Sequence, residues 1–177
     1  MSESAGEHPN VRVVVEAAAR QGVALEVHEF PAGTRTAQDA AAAVGVDVGQ
    51  IVKSLVFRVD GRPVLALVSG DNRVDETRLA EAVGGGEVVR ADADLVRAAT
   101  GFPIGGVPPF GHHAELETIL DRNLLDHEVV WAAAGTPRHV FPISPPALQQ
   151  LSRAKPAAVA VEPPEPPEAP EAPELAR

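Results

Sequence analysis

Apolar residues recur along this chain with two different spacings, and each spacing predicts one kind of element. Where they return every three or four residues the pattern predicts a helix, and where they alternate with polar residues it predicts a strand. The predicted helices are 11–21, 37–44, 76–83, 93–100 and 145–151. The predicted strands are 23–30, 51–59, 63–68, 87–90, 115–120, 128–133 and 139–143.

Residues at the helix boundaries support these assignments. Each predicted helix is preceded by a side chain that can accept a hydrogen bond from the first turn. These side chains belong to Asn10, Thr36, Asp75, Asp92 and Ser144. A glycine follows the end of each of the first four helices, where a left-handed residue commonly closes a helix.

The order of the elements predicts the fold class. Asp60-Gly61 joins two strands as a hairpin signal, and three strands follow one another late in the chain, so a purely parallel sheet is excluded. We therefore expect an α+β fold, with a mixed, barrel-like β-sheet and flanking helices.

The patterned segments form a single predicted domain, residues 11–153, which is long enough to bury a core of its own. Residues 1–10 are polar and are predicted to be flexible. Residues 154–177 are rich in proline and glutamate, and they are predicted to form an extended, disordered tail. A proline-rich ligand for a partner domain is the alternative for this tail, which lacks the basic flanking residues that would favour it.

Composition excludes several kinds of site. With no cysteine, the chain can form no disulfide, thiolate nucleophile or cysteine-bound metal. No stretch approaches the roughly twenty apolar residues that span a bilayer, and the polar N-terminus lacks signal-peptide chemistry. The net charge of −10 disfavours broad binding to a nucleic-acid backbone, but a local basic spot could still contact one RNA end. We expect a cytoplasmic protein that does not bind a membrane.

Lysine usage draws attention to one position. Of the 15 Lys plus Arg residues, only Lys53 and Lys155 are lysines. Lys53 lies in an apolar run of a chain that otherwise uses arginine, which indicates a site that requires a compact ammonium. A lysine that reaches from a strand end to water would show the same pattern. The residues alone leave both interpretations open.

The most unusual stretch is the glycine- and proline-rich segment 100–113. Its glycines permit positive φ and close backbone approach, and its prolines stiffen the path. Such a loop can present N–H groups to a carbonyl, carboxylate or phosphate oxygen, although it could also be a structural connection. It lacks the Lys-Ser/Thr ending of a P-loop, and no GxGxxG follows a strand, so we expect no nucleotide cofactor.

Five short segments occur in an informative order. They are Val27-His28-Glu29-Phe30, Gln50-Ile51-Val52-Lys53-Ser54-Leu55, Thr100-Gly101-Phe102, Gly105-Gly106-Val107-Pro108-Pro109-Phe110-Gly111 and Ala134-Gly135-Thr136-Pro137. Together they resemble the YbaK family and the editing domain inserted in bacterial prolyl-tRNA synthetases. The resemblance covers roughly residues 10–153 and implies the mixed, barrel-like fold of that family.

The resemblance also implies a function, that of a free-standing trans-editing aminoacyl-tRNA deacylase. Such an enzyme hydrolyses the ester that joins a small non-cognate amino acid, such as alanine or cysteine, to tRNA, commonly tRNA for proline. Its partners would be the acceptor end of the mischarged tRNA and prolyl-tRNA synthetase. An aminoacyl ester is already activated, so positioning and an oxyanion site suffice, without a protein nucleophile.

The same resemblance implies roles for individual residues. Lys53 would hold a phosphate or the terminal adenosine, and the loop from Gly105 to Pro109 would orient the aminoacyl carbonyl and amino group. The implied catalytic residues are Lys53, Gly105, Gly106 and Pro109. The implied substrate-binding residues are Phe30, Thr36, Gly101, Val107, Pro108, Gly111 and Thr136.

Other interpretations remain open at the level of sequence. Cysteine-releasing relatives often carry tyrosine at the position of Phe30 and aspartate near that of Val140, so alanine is at least as well predicted as cysteine. A non-catalytic module that binds a tRNA end or nucleotide in the same cleft is the main alternative, and a scaffold acting through the tail is a third. His112 and His113 predict no metal site, because adjacent imidazoles usually point apart and no carboxylate lies at ligand spacing.

Overall fold

The computed structural model describes residues 8–34 and 36–162. Within these ranges the helices are α1 Pro9–Ala19, α2 Ala37–Val44, α3 Glu76–Ala82, α4 Ala93–Thr100 and α5 Pro145–Ser152. The strands are β1 His28–Glu29, β2 Val52–Val59, β3 Arg62–Ser69, β4 Val88–Arg90, β5 Glu117–Asp121, β6 Val130–Ala133, β7 His139–Ile143 and β8 Lys155–Ala157. Short 3-10 helices occupy Val48–Gln50 and Arg122–Asp126. None of the helices in the described ranges has the length and apolar character to cross a membrane.

The predicted capping residues of four helices are confirmed. Thr36, Asp75, Asp92 and Ser144 each accept a hydrogen bond from a backbone N–H in the first turn of the helix that follows. Each bond satisfies one of the donors that a helix N-terminus leaves without an intrahelical partner. These starts follow from interactions within four residues, which is why the sequence alone located them.

The first helix begins earlier than predicted. His8, not Asn10, is its N-cap, and Pro9 occupies the first turn, where a missing N–H is harmless and φ is already suitable. The Asn10 side chain instead donates to the Gly135 carbonyl oxygen at 3.0 Å. Residues 8–10 therefore belong to the folded body and not to a flexible N-terminus, while residues 1–7 lie outside the described ranges.

Two sheets form the β structure. The larger has the strand order β4-β2-β3-β5-β8 and is mixed, because β2 is antiparallel to β3 and β4, whereas β3, β5 and β8 are parallel. The smaller, β1-β7-β6, is antiparallel and meets the start of β2 through a bridge between Ile51 and Trp131. The α+β class and the mixed sheet are confirmed, but the sheets do not close into a barrel.

The predicted hairpin is confirmed, whereas the predicted first strand is much shorter than expected. Asp60 and Gly61 take positive φ between β2 and β3, as the hairpin signal predicts. Of the predicted strand 23–30, only His28–Glu29 pairs as a strand, with Val140 and His139 of β7. Val23, Leu25 and Val27 still pack against the core, so their alternation reflects burial and not strand pairing.

The C-terminal end of the domain also lies beyond the predicted one. Lys155–Ala157 forms β8 beside β5, Ala160 bridges to Val74, and Val159 is fully buried. The chain from 154 to 162 is thus part of the fold, where a disordered tail was expected from 154 onward. Residues 163–177, the remainder of that predicted tail, lie outside the described ranges.

Burial of Val159 generates a stability prediction. Val159→Ala removes two methyl groups from the cluster that also contains Leu79 and Ile119, so it should lower the free energy of unfolding by about 1–3 kcal/mol. The exposed Val161 provides the matched control, and Val161→Ala should change that free energy by less than about 0.5 kcal/mol. Urea unfolding measures the free energy of both variants. If Val159→Ala costs as little as Val161→Ala, the result would argue for a domain that ends before β8.

Candidate functional site

One cavity of about 720 Å³ opens beside the first half of β2. Here β2 lies between β3 and open space, since β4 pairs only with Phe57, Arg58 and Val59. Helix α2, the loop that follows α4, strand β6 and the turn before β7 form the remaining walls. The cavity therefore arises where the two sheets meet without closing.

One wall of the cavity is apolar. Small or branched side chains of α2 line it, namely those of Ala37, Ala40 and Val44, together with Ile51 and Trp131. The Trp131 ring is held by an edge-on contact with His28, at 5.1 Å between ring centroids. This wall suits an uncharged group of modest size.

The charge of the cavity is opposite to that of the chain. Among the described residues, its lining includes three cationic side chains, Lys53, Arg90 and Arg138, and no aspartate or glutamate. The whole chain nevertheless has a net charge of −10. Because a concave surface lined by one sign of charge concentrates the opposite ion, the cavity favours an anionic ligand.

Lys53 is half-buried at the edge of this cavity, and its Nζ donates a hydrogen bond to the backbone carbonyl of Asn72. Burial lowers the pKa of the Lys53 ammonium, the charge of Arg90 lowers it further, and the carboxylates of Asp71 and Asp121 oppose both effects. In the part of the chain that the structure describes, no ion pair includes Lys53. The ammonium thus keeps N–H groups for a ligand.

The predicted loop 100–113 begins at a helix end and reaches the cavity at three residues, Ile104, Gly105 and Val107. Gly101 ends α4 in a left-handed conformation, with its N–H donated to the Arg97 carbonyl at 2.8 Å. Gly105 and Val107 line the cavity. The hydrogen bonds among the described residues include none donated by the N–H of Gly105 or Val107, which leaves both donors available.

Gly106, between those two residues, has a packing role. Its N–H is donated to the Pro103 carbonyl at 3.0 Å, so it is not free to bind a ligand oxygen. A Cβ atom at Gly106 would lie 2.7 Å from the Cα of Thr136. Glycine is therefore required here because the loop crosses directly over the backbone of the turn before β7.

Thr136 supports this crossing from below. It is buried, its Oγ1 accepts from the Arg138 N–H at 3.1 Å, and it lies 2.5 Å from Nδ1 of His139. Burial lowers the pKa of the His139 imidazole, which favours the neutral ring. The hydrogen bond between the Thr136 hydroxyl and Nδ1 of His139 locks the turn beneath the loop.

The structure brings only part of the predicted site together. Lys53, Thr36, Gly105 and Val107 line the cavity. The others surround it without lining it, and they are Phe30, Gly101, Gly106, Pro108, Pro109, Gly111 and Thr136. The Pro108 carbonyl, for example, accepts a 2.7 Å hydrogen bond from His112, and Gly111 packs on α1.

The two adjacent histidines bind the loop to its surroundings. His112 Nε2 donates to the Pro108 carbonyl and His113 Nε2 to the Ala98 carbonyl, each at 2.7 Å. Burial lowers the pKa of His112, so its neutral form makes the contact. Across residues 8–34 and 36–162, no three His, Asp or Glu side chains converge as metal ligands would.

The lining residues that sequence reasoning missed include Arg90, Arg138, Trp131 and Ser54. Arg90 ends a short strand and Arg138 lies in a turn. The sequence pattern around each is the same as around an arginine that is exposed to solvent. Ser54 follows Lys53, and its buried Oγ has no hydrogen-bond partner in the described chain. Its proximity to Lys53 was the only available signal.

Comparison with known proteins gives a consistent result. Residues 31–151 match the family described as the aminoacyl-tRNA editing domain. A solved protein described as a candidate trans-editing enzyme for prolyl tRNA synthetase has 47% identity and a TM-score of 0.82, covering 88% of this chain and 99% of that one.

Two curated relatives differ in size. The proline--tRNA ligase of Maridesulfovibrio salexigens is 36% identical over 58% of this chain and 17% of its own length. The chain thus spans about a fifth or less of the proline--tRNA ligases that it matches. The protein YwhH of Bacillus subtilis is 31% identical over 73% of this chain and 83% of its own.

The packing of Gly106 predicts that alanine costs more stability at Gly106 than at Gly105. Backbone conformation alone would predict the opposite order, because only Gly105 has a positive φ. Gly105 has a φ of +83°, and a Cβ there would make only an ordinary contact, 3.8 Å from Cγ of Pro137, so Gly105→Ala should cost about 1 kcal/mol of backbone strain. Gly106→Ala meets backbone atoms of Thr136 and should cost more, about 2–4 kcal/mol. Urea unfolding of both variants is the measurement, and a larger loss for Gly105→Ala would contradict the close crossing.

Proposed function

We propose that this chain, which belongs to the aminoacyl-tRNA editing domain family, is an aminoacyl-tRNA deacylase that acts in trans as a free-standing enzyme. Its proposed substrate is tRNA for proline that carries a small non-cognate amino acid such as alanine or cysteine. Editing is needed for such amino acids because binding alone discriminates poorly between side chains that differ by a methylene or less.

The observation that carries this proposal is the cationic cavity in an acidic chain. Lys53, Arg90 and Arg138 can attract the phosphates near the tRNA terminus, whereas the surrounding negative charge discourages binding along the RNA backbone. A volume of about 720 Å³ is within the range of ordinary ligand pockets. The cavity thus suits the end of one acceptor strand.

The proposed mechanism needs no nucleophile from the protein. Lys53 anchors the terminal nucleotide through charge-assisted hydrogen bonds, and the free N–H groups of Gly105 and Val107 receive the developing oxyanion. Water then attacks a carbonyl that is already activated and correctly placed, the bond to the ribose oxygen breaks, and that oxygen takes up the proton that the water loses.

The apolar wall supports a small, uncharged amino acid. Ala37, Ala40 and Val140 line the cavity, and the lining that the structure describes contains no carboxylate that would bind a basic side chain. The solved trans-editing relative and the matching part of proline--tRNA ligases support tRNA for proline as the substrate. They also support prolyl-tRNA synthetase as a partner, and such a role would place the protein in the cytoplasm.

Removal of the Lys53 ammonium is the direct test. Lys53→Ala should lower kcat/KM for deacylation roughly 30- to 150-fold, which corresponds to the loss of about 2–3 kcal/mol for a contact with a charged group. The assay uses alanyl-, cysteinyl-, seryl- and threonyl-tRNA for proline. Lys155→Ala is the matched control, since Lys155 is the other lysine and is exposed on β8, and it should leave the rate unchanged.

Two results of that assay would argue against the proposal. If the wild-type protein leaves all four esters intact at micromolar concentration, trans-editing of these substrates is wrong. If it binds them in a Lys53-dependent manner without turnover, the alternative function, a non-catalytic tRNA-end or nucleotide-binding module, takes its place.

The role of Arg138 can be tested by salt dependence. Arg138→Ala should raise KM about 3- to 10-fold and reduce the slope of log(kcat/KM) against log[salt] by about 0.7, because one phosphate contact is lost. Arg153→Ala removes the same charge from an exposed position that pairs only with Glu115 among the described residues, so both quantities should stay unchanged. Equal effects of the two variants would indicate a general charge effect and not a contact in the cavity.

A further inference from the structure

A buried polar network lies beneath Lys53, outside the cavity. β3 and β5 are parallel neighbours, so their C-terminal ends meet at one edge of the sheet. The turn Ser69–Asn72 leaves the end of β3, and Asp121 ends β5 beside it. Asp121 is only 1% exposed, and a buried carboxylate is tolerated only where hydrogen bonds replace water.

The Asp121 carboxylate accepts three hydrogen bonds. Its Oδ2 accepts from the Ser69 N–H at 3.1 Å and from the Asn72 side-chain amide at 2.8 Å. Its Oδ1 accepts from the Asn123 N–H at 3.0 Å. Two of these donors belong to the turn after β3, so the carboxylate fixes that turn at both of its ends.

Further contacts prevent the turn from shifting. The Asn72 amide also donates to Oδ1 of Asn123 at 2.8 Å, and the Ser69 hydroxyl lies 2.7 Å from the carbonyl oxygen of Gly49. Gly70 presses on the 3-10 helix that leads into β2, where a Cβ would lie 2.3 Å from the Val48 carbonyl oxygen. The turn is therefore held against the segment that precedes Lys53.

The carbonyl oxygen of Asn72 is the acceptor for Lys53 Nζ. A lysine side chain has four rotatable bonds and loses considerable entropy when it is fixed. A carbonyl at a fixed position occupies one of the three N–H groups of the ammonium and limits the directions of the other two. The network thus decides where the cation lies relative to the cavity.

We propose that Asp121 and Asn72 are positioning residues that hold the Lys53 ammonium at the edge of the cavity. Neither side chain lines the cavity, so each acts through Lys53. The effect on turnover rests on the proposed function, but the placement of the ammonium does not.

The first test is a double-mutant cycle. Asn72→Ala keeps the backbone carbonyl but removes the amide that Asp121 holds, so it should lower kcat/KM for deacylation about 10-fold. In a Lys53→Ala background the same substitution should lower it less than 2-fold, because its target is already absent. Asn123→Ala, which removes one partner of Asn72 but leaves the Asp121 contact, is the control and should change kcat/KM less than 3-fold.

The second test measures the ammonium itself. With only two lysines in the chain, selective ¹³C-lysine labelling gives two side-chain NMR titrations, Lys53 and the exposed Lys155. The charged groups that act on Lys53 are Arg90, Asp71 and Asp121. Asp121→Asn removes a negative charge, so the pKa of Lys53 should fall while that of Lys155 stays constant.

These outcomes separate positioning from support of the fold alone. A loss from Asn72→Ala that is equal in both backgrounds, or a Lys53 pKa that Asp121→Asn leaves unchanged, would overturn the proposal. If the wild-type protein shows no deacylation, the proposed function fails, whereas the titration still decides the positioning of Lys53. Circular dichroism of each variant confirms that it is folded.

Discussion

An ammonium group that is partly removed from water requires an acceptor at a fixed position, and Lys53 obtains one from the backbone of Asn72. The cost of burial is visible in the lowered pKa of the lysine. Much of the surrounding architecture serves this one contact. β2 is antiparallel to β3, so Lys53 lies opposite Val68 near the end of β3. The parallel pairing of β3 with β5 then brings Asp121 under the same turn.

The cavity depends on a second constraint, the incomplete closure of the sheets. β4 pairs with the last part of β2 only, and the bridge that joins the smaller sheet to the larger one lies at Ile51, immediately before β2. The intervening stretch of β2 is left open, and the glycine-rich loop and helix α2 enclose this opening. A closed barrel would have filled the space where Lys53, Arg90 and Arg138 converge.

The charge of the whole chain and the charge of the cavity have opposite signs. The net charge of −10 is a property of the whole chain, and it argues against broad nucleic-acid binding. In the described part of the lining, three cations without a carboxylate create a local field of the opposite sign. An acidic protein with one basic cavity fits an enzyme that binds the end of an RNA and not its length.

Several features of this protein were determined by its sequence alone. Thr36 and Asp92 cap their helices, Asp60-Gly61 forms a hairpin, and Lys53 stands out in an arginine-using chain. The first two act through contacts within four residues, which a local pattern records fully. The ordered motifs likewise identified the editing family, because they preserve glycines and prolines that a particular backbone path requires.

Only the tertiary structure decided the rest. Arg90 and Arg138 reach the cavity from a short strand and a turn, and nothing near them in sequence distinguishes them from solvated arginines. Gly106 is required because of Thr136, and the network of Asp121 depends on which strands are neighbours. These contacts join segments that are distant in sequence, so their partners are known only once the chain has folded. Lys53 was thus identifiable as a residue, whereas its position and its companions were properties of the fold.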